Sequence, residues 1–264
     1  MSRIDVFLVE NGYAKSRVRA KELIKNGKVT VNDKICFKAS YEVKEHDEVD
    51  CEADDLMFVS RGGLKLSKAF DVFSIDVKDK VCADIGASTG GFTQCLLNHG
   101  ARSVYAVDVG HGQLDESLLN DKRVLNYEGM NARCLDNKVF DPKPSFVSID
   151  VSFISLELII SSVSSILSDD GEIVALVKPQ FEAGREALNK KGIVKDKKIH
   201  EKVLRNVTAA FEKNGLFVCA AAFSAITGGD GNIEYLLHVS KKSDKSDLFD
   251  IKSVVNDAFE FFKQ

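Results

Sequence analysis

The chain lacks the features of a membrane-spanning, collagen-like or disordered protein. Its 264 residues are 44% hydrophobic and 29% charged, which is ordinary for a globular protein. No segment approaches the run of about 18 apolar residues that a transmembrane helix needs. The first residues, Met-Ser-Arg-Ile-Asp-Val-Phe, lack the basic and apolar regions of a secretory signal. We therefore expect a cytoplasmic protein of one or two domains.

Metal-ligand patterns are lacking as well. None of the six cysteines forms a C-x-x-C pair, and no pair of histidines lies beside a cysteine. We therefore predict neither a metal site nor a disulfide scaffold, and we expect the thiols to be reduced.

Charge of one sign is not in large excess, but it is unevenly distributed. The formal net charge is −4, yet residues 1–44 carry ten lysines and arginines against five acids. Residues 45–55 then carry seven acids and no base. This asymmetry is typical of a basic module attached to a nearly neutral one, although a solvated helix face followed by an acidic loop would give the same pattern.

The first 44 residues predict two helices and a small sheet. Apolar spacing predicts one helix that stops at Asn11-Gly12 and a second between Ser16 and Gly27. Two short strands then flank a turn at Asn32-Asp33. A basic unit of this kind favours a phosphate backbone without specifying sequence, and its candidate contacts are Arg3, Lys15, Arg17, Arg19, Lys21 and Lys25.

From residue 81 onwards, strand-like apolar runs alternate with helical stretches. This alternation predicts an α/β fold with a parallel sheet and helices on both faces. The last two strands are too close in sequence for a helical crossover, so we expect an antiparallel pair at one edge. The predicted strands are 81–86, 103–109, 145–150, 171–177, 216–223 and 234–239; the predicted helices are 89–99, 154–166, 198–214 and, after a polar linker over 240–247, 249–262.

A glycine-rich segment, residues 84–92, follows the first of these strands and opens a helix. Its spacing is neither G-x-G-x-x-G nor G-x-x-x-x-G-K-[ST], which weakens a dinucleotide interpretation and excludes a Walker-type loop. Asp84 would attract an ammonium group, and Asp108, after the next strand, can accept hydrogen bonds from a ribose diol. A ligand with both groups fits S-adenosylmethionine. The alternative is a tight turn with two ordinary strand-end acids.

Four charged residues lie at the edges of the predicted core elements, namely Lys65, Asp150, Lys178 and Glu234. Ligands bind outside the carboxyl ends of strands in open α/β sheets, where Asp150 and Lys178 lie. Glu234 would face the same edge if its strand runs antiparallel. Each residue alone could be a surface group or an ion-pair member, but their joint placement favours a functional site.

The chain also lacks two methyl-acceptor motifs. Asp150 is not followed by the Pro-Pro-Tyr/Phe sequence used to methylate exocyclic amines, and no cysteine follows a proline, as base-carbon methylation usually needs. A Lys/Asp/Lys/Glu set instead suits removal of a proton from a hydroxyl, with one lysine as base and the others positioning it and the ribose.

Taken together, the motifs closely resemble the TlyA (haemolysin A-like) family of ribosomal RNA 2′-O-methyltransferases over about residues 1–240. The resemblance is carried by Arg3-Ile4-Asp5, residues 60–66, 84–93, 104–110, 131–133, 150–156 and 178–182, and Gly192-Ile193-Val194-Lys195-Asp196. It implies an α+β RNA-binding domain like that of ribosomal protein S-four at 1–58. A Rossmann-like methyltransferase domain of the FtsJ type would follow at 59–245, with a helical extension at 246–264.

The same resemblance implies the roles of individual residues. Lys65, Asp150, Lys178 and Glu234 fall on the family's catalytic tetrad. The candidate residues for S-adenosylmethionine are Asp84, Gly86, Ser88, Gly90, Gly91, Phe92, Asp108, Val109 and Asn131. The implied partner is ribosomal RNA or a ribosomal subunit, with Arg61, Arg185 and Lys195 as further RNA contacts and with neither a membrane nor a metal involved. A membrane-active cytolysin and an inactive ribosome-binding protein stay open as alternatives, and the basic loop 182–198 is expected either to contact RNA or to be a solvated charge run.

Overall fold

The computed structural model describes residues 2–11, 13–14, 17–44, 46–51, 58–228, 231–242 and 249–263. The predicted RNA contact Lys15 and residues 243–247 of the predicted linker lie outside this set. The chain divides into two compact units, residues 1–57 and 58–264. Among the described residues, no helix combines the length and the apolar character needed to cross a membrane.

The first unit contains two helices and two small sheets. The helices are α1 (Ile4–Glu10) and α2 (Arg17–Lys25); the strands are β1 (Ser2–Arg3), β2 (Val29–Val31), β3 (Lys34–Ile35), β4 (Glu42–Val43) and β5 (Val49–Cys51). Strand β1 pairs with β4, and β2 lies between β3 and β5. Asn32 and Asp33 both have positive φ angles, 51° and 62°, as a tight hairpin turn requires, so the predicted hairpin is confirmed.

The second unit is a seven-stranded sheet with helices on both faces. Its strands are β6 (Val81–Ile85), β7 (Ser103–Val107), β8 (Val124–Tyr127), β9 (Phe146–Ile149), β10 (Glu172–Val177), β11 (Phe217–Phe223) and β12 (Tyr235–Ser240). Its helices are α3 (Gly62–Phe73), α4 (Gly91–Asn98), α5 (Glu116–Leu119), α6 (Ile160–Ile166), α7 (Pro179–Glu182), α8 (Lys197–Lys213) and α9 (Ile251–Phe261).

The sheet has the strand order β11-β12-β10-β9-β6-β7-β8, and only the pairings of β12 with β10 and β11 are antiparallel. The predicted α/β class and the antiparallel pair at one edge are confirmed. Strand β8 and helix α3 were not predicted. Strand β8 escapes a search for apolar runs because it is a short edge strand whose central residues, Leu125 and Asn126, are exposed.

Alternate residues of the strands point to opposite faces of the sheet and pack into two separate apolar layers. On β6, for example, Ala83 and Ile85 pack into the layer that contains α6 and α8, whereas Cys82 packs into the layer that contains α3 and α4. The terminal helix α9 contributes Val255, Ala258 and Phe259 to the first layer. The helix predicted as an extension therefore packs as part of the second unit.

Candidate active site

A cavity of about 490 Å³ lies where the chain order of the sheet reverses, beside β6 and its two neighbours β7 and β9. This switch point, at the carboxyl ends of the strands, is where open α/β sheets bind ligands. Five of the nine predicted cofactor residues line the cavity, together with Asp150 of the predicted tetrad; the five are Gly86, Ser88, Asp108, Val109 and Asn131.

Backbone N–H groups hold the Asp108 carboxylate at the cavity wall. Its Oδ2 accepts a hydrogen bond from the Ser88 backbone at 2.8 Å, and its Oδ1 accepts one from the Gly110 backbone at 2.7 Å. Each carboxylate oxygen can accept more than one hydrogen bond. Asp108 is therefore oriented in advance and can still accept the hydroxyls of a ribose diol.

Gly86 is required by the close approach of two backbones. It has a positive φ of 87°, and a methyl group on its Cα would overlap the carbonyl oxygen of Asp150. The Asp150 N–H also donates to the Ile85 carbonyl at 2.9 Å. The glycine therefore lets the loop after β6 lie against the end of β9, which places Asp150 at the cavity.

The other two glycines of this segment, Gly90 and Gly91, pack against neighbouring side chains and helices, and their role in cofactor binding stays a prediction, as does that of Phe92. None of these three lines the cavity. A methyl group at Gly91 would lie 2.9 Å from the Gly63 nitrogen, so the two glycines bring the first turns of α3 and α4 into contact. A methyl group at Gly90 would overlap the side chain of Leu118 on α5.

Asp84 also lies behind the cavity wall, where its side chain is fully buried. It accepts hydrogen bonds from the Thr93 hydroxyl at 2.7 Å and from the Ser148 hydroxyl at 3.1 Å. Burial raises the pKa of Asp84 to about 7, because a carboxylate is poorly solvated there. The structure thus places this acid between β6, β9 and α4, and its contact with a ligand's ammonium group stays a prediction.

The four residues of the predicted tetrad form two buried ion pairs. Lys65 Nζ lies 2.5 Å from Glu234 Oε2, and Lys178 Nζ lies 2.6 Å from Asp150 Oδ1. Lys178 also donates to the Ser152 hydroxyl at 2.9 Å. Lys65, Lys178 and Glu234 are buried and Asp150 is half-buried, so removing one partner would leave its opposite charge unbalanced in a poorly solvated place.

Strand register brings the two pairs together. Val177 of β10 pairs with Tyr235 of β12, so Lys178 and Glu234 lie at adjacent strand ends about 5 Å apart. Glu234 reaches this edge because β12 is antiparallel, as the sequence predicted. Lys65 comes from the first turn of α3, which the contact between Gly63 and Gly91 fixes against α4.

One aromatic residue at the mouth of the cavity was not singled out from the sequence. Phe153 lines the cavity, is 89% exposed, and has a positive φ of 63°. That backbone conformation is strained for a bulky side chain. Its ring lies 4.9 Å from that of Phe181, centroid to centroid. Only its position three residues after Asp150 could have indicated it.

The motif Gly192–Asp196 is attached to the strand that carries Glu234. Asn232, which is buried, donates to the Gly192 carbonyl at 3.0 Å and accepts from the Val194 N–H at 3.2 Å. His200 Nε2 lies 2.9 Å from the Val194 carbonyl, and its Nδ1 lies 2.8 Å from the Tyr235 hydroxyl. The basic loop, whose Arg185 and Lys195 are exposed, is therefore held close to the tetrad.

The predicted RNA contacts of the first unit fall into two groups. Arg3 and Arg17 both bind the buried carboxylate of Asp5, at 3.0 and 3.1 Å. Although burial opposes it, the hydrogen bonds from these two arginines hold the pKa of Asp5 below its usual range. Arg19 pairs with Glu22 at 3.1 Å. Lys21 and Lys25 are exposed on α2, and Arg61 of the second unit is half-buried before α3.

The fold and this edge of the sheet define a Rossmann-like methyltransferase class. Residues 58–241 match the family of FtsJ-like methyltransferases, and residues 2–49 match the S4 domain. The chain belongs to the FtsJ-like methyltransferase family and carries an S4 domain before the methyltransferase domain.

Three known proteins show how far this similarity extends. The chain is 47% identical over 238 residues to the provisionally named rRNA methyltransferase YqxC of Bacillus subtilis, covering 90% of this chain and 85% of the relative. It is 38% identical over 246 residues to the 16S/23S rRNA (cytidine-2′-O)-methyltransferase TlyA of Mycobacterium tuberculosis, covering 93% and 92%. A solved structure from Streptococcus thermophilus, provisionally described as a hemolysin, has a TM-score of 0.81 at 46% identity and covers 99% of this chain and 97% of that one.

Proposed function

We propose that this protein transfers a methyl group from S-adenosylmethionine to a ribose 2′-hydroxyl of ribosomal RNA. The observation that carries the proposal is the pair of buried ion pairs, Lys65 with Glu234 and Lys178 with Asp150, beside a cavity that contains Asp108. The printed activities of the curated relatives agree with it. A complete tetrad beside an open cavity counts against an inactive fold.

The residues of the cavity fit S-adenosylmethionine. Asp108 would hold the ribose hydroxyls, while Val109 and Met130 supply apolar surface for a planar base. Gly86 and Ser88 leave room for the chain that joins the ribose to the amino-acid end. When bound, the cofactor supplies a methyl group on a positively charged sulfur, and displacement at that carbon requires alignment with the attacking oxygen.

The tetrad would remove the proton and hold the ribose. Asp150 touches both the cavity and Lys178, so the Lys178–Asp150 pair lies where a hydroxyl would approach the methyl group. Within this pair Lys178 would act as the general base and take the proton of the 2′-hydroxyl, while the oxygen bonds to the methyl carbon and the bond from that carbon to sulfur breaks. Lys65, which is paired with Glu234 beside the strand end that carries Lys178, would donate hydrogen bonds to the ribose.

RNA binding would begin on the exposed basic residues. Phosphate contacts that do not read sequence would come from Lys21 and Lys25 of α2 and from the basic loop with Arg185 and Lys195. Phe153, exposed at the cavity mouth, would stack on the base of the nucleotide whose ribose reacts.

The direct test is methyl transfer to purified ribosomal subunits, with S-adenosylmethionine labelled on its methyl group and the product mapped by mass spectrometry. We expect label on ribose, and at least a hundredfold loss of rate in Lys178→Ala and Asp150→Asn, because general acid–base groups contribute about 10²–10⁴-fold. Lys80→Ala is the matched control. It breaks a 3.0 Å ion pair between Lys80 and Glu172, which lies at the amino ends of β6 and β10, whereas the site lies at their carboxyl ends. Label on a base, or none on any ribosomal substrate, would contradict the proposal.

A further inference from the structure

We infer that the outer face of the sheet formed by β3, β2 and β5 is a stacking platform for an unpaired RNA base, centred on Phe37. The inference rests on the proposed function, in that it assigns a base contact to the unit expected to bind RNA. Phe37 is 67% exposed and Ile35 is 55% exposed, which is unusual for two neighbouring large apolar side chains in so small a unit.

The Phe37 ring is fixed in place by a glycine. Gly27 has a positive φ of 71°, and a methyl group on its Cα would lie 3.3 Å from Phe37 Cε1 and 3.5 Å from Ile35 Cγ2. Both side chains therefore lie against the bare backbone of the turn after α2. The ring therefore has one neighbour in this turn, while most of the residue stays exposed.

Strand register determines what surrounds the ring. Thr30 pairs with Ile35, and the Cys36 N–H donates to the Val29 carbonyl at 2.8 Å. Continuing this ladder by one residue places Lys28 opposite Phe37, on the same face of the sheet. The described acids on this face are Asp50, which pairs with Thr30, and Glu48, whose carbonyl accepts from the Asn32 N–H. Both lie on the other side of β2 from the ring.

Basic residues also lead to the platform along α2. Lys21 and Lys25 are exposed one turn apart, with a step of about 6 Å along the helix. Arg17 lies one turn earlier in the same row, but its charge is shared with Asp5. The row ends at the turn that contains Gly27. An RNA strand following these charges would bring an unpaired base onto Phe37, and the combination of a basic path and an aromatic face is the one that binds single-stranded RNA.

Stacking and phosphate contacts can be separated by salt. Loss of a phosphate contact reduces the slope of affinity against salt, whereas loss of a stacked base lowers affinity at every salt concentration and leaves the slope unchanged. Phe37→Leu keeps an apolar contact with Gly27 but removes the π face. We expect it to weaken binding about tenfold with an unchanged slope, and Phe37→Tyr to restore wild-type affinity.

The experiment uses the full-length chain, with deproteinised ribosomal RNA as the probe and filter binding from about 50 to 200 mM salt. Phe217→Leu is the matched control, since Phe217 is an exposed phenylalanine on β11 of the other unit. Lys21→Ala should instead reduce the salt slope by about one. The Phe37 variants should keep the wild-type circular dichroism spectrum, because the side chain is largely exposed.

Wild-type affinity of Phe37→Leu for ribosomal RNA would overturn the platform. If the same variant also bound intact subunits more weakly than wild type does, Phe37 would instead contact a protein. Equal loss in Phe37→Leu and Phe37→Tyr would also overturn it. Methyl transfer by the wild-type chain, measured in parallel, distinguishes this failure from failure of the proposed function: the platform can fail while transfer to ribosomal RNA persists.

Discussion

Replacing Asp84 by asparagine removes a titrating group from the middle of the second unit. The wild-type carboxyl is fully buried and has a pKa of about 7, against an ordinary value of 3.8. Asparagine has the same shape, and its amide can hydrogen-bond to the same two hydroxyls, those of Thr93 and Ser148. The difference between the two chains is therefore mainly one of ionisation.

The sign and size of the effect follow from proton linkage. Because the pKa of Asp84 is higher in the folded protein than in the unfolded chain, only the folded form binds this proton between about pH 4 and 7. Its contribution to stability is complete below that window and is lost as the pH rises through it. Each pH unit costs about 1.4 kcal/mol, so the loss is about 4 kcal/mol over the whole window and about 3 kcal/mol between pH 5 and 7.

We therefore expect the free energy of unfolding of Asp84→Asn, relative to wild type, to increase by about 3 kcal/mol between pH 5 and pH 8. Because the chain contains no tryptophan, urea unfolding is best followed by circular dichroism, comparing the transition of the second unit. Asp169→Asn, at a fully exposed acid, should show no such change. A difference between Asp84→Asn and wild type that is constant with pH would refute the assignment of a protonated, buried Asp84.

Two further substitutions test how the site is built. Gly63→Ala should lower the stability by about 1–3 kcal/mol in thermal denaturation, because the added methyl group would overlap the Phe58 ring. Gly62→Ala, on the same helix, is the control: its methyl group would meet its nearest neighbour at 3.4 Å, so we expect unchanged or slightly higher stability. Asn232→Ala should leave the Val194 N–H without its buried partner and lower the free energy of unfolding by about 1–3 kcal/mol. In the methyl-transfer assay it should raise KM for RNA more than it lowers kcat. An unchanged KM would show that the basic loop does not depend on this residue.

Much of the second unit was predictable because its strands are buried on both faces. The run 173–177 is apolar and buried throughout, and a parallel sheet covered by helices requires that pattern. The sequence also predicted that Glu234 faces the same edge as Lys178 if its strand is antiparallel, as the short connection before it favours. That this strand lies next to β10 was not predicted. Strand ends therefore predicted the common edge of Asp150, Lys178 and Glu234, whereas Lys65 lies on the unpredicted helix α3.

Contacts between residues distant in sequence were beyond that reasoning. Glycine at position 91 has the same appearance in the sequence whether it approaches a ligand or another helix, and its contact with Gly63 is visible only in the structure. The charge of Arg17 likewise suggests RNA, but Asp5, twelve residues earlier, binds it. A strand-end acid such as Asp84 can point into a cavity or into the core, and the side of the sheet it faces depends on packing that periodicity does not define.

The antiparallel strand β12 has a consequence for how the protein is synthesised. Glu234, which directly precedes β12, is translated after the other three residues of the tetrad. Strand β12 nevertheless lies inside the sheet, between β10 and β11. Until it is made, β10 is an open edge and the Lys65 ammonium has no Glu234 to balance it. A nascent or proteolysed chain that stops before this strand thus lacks both a closed sheet and a balanced charge, so the tetrad and the fold of the second unit are completed together.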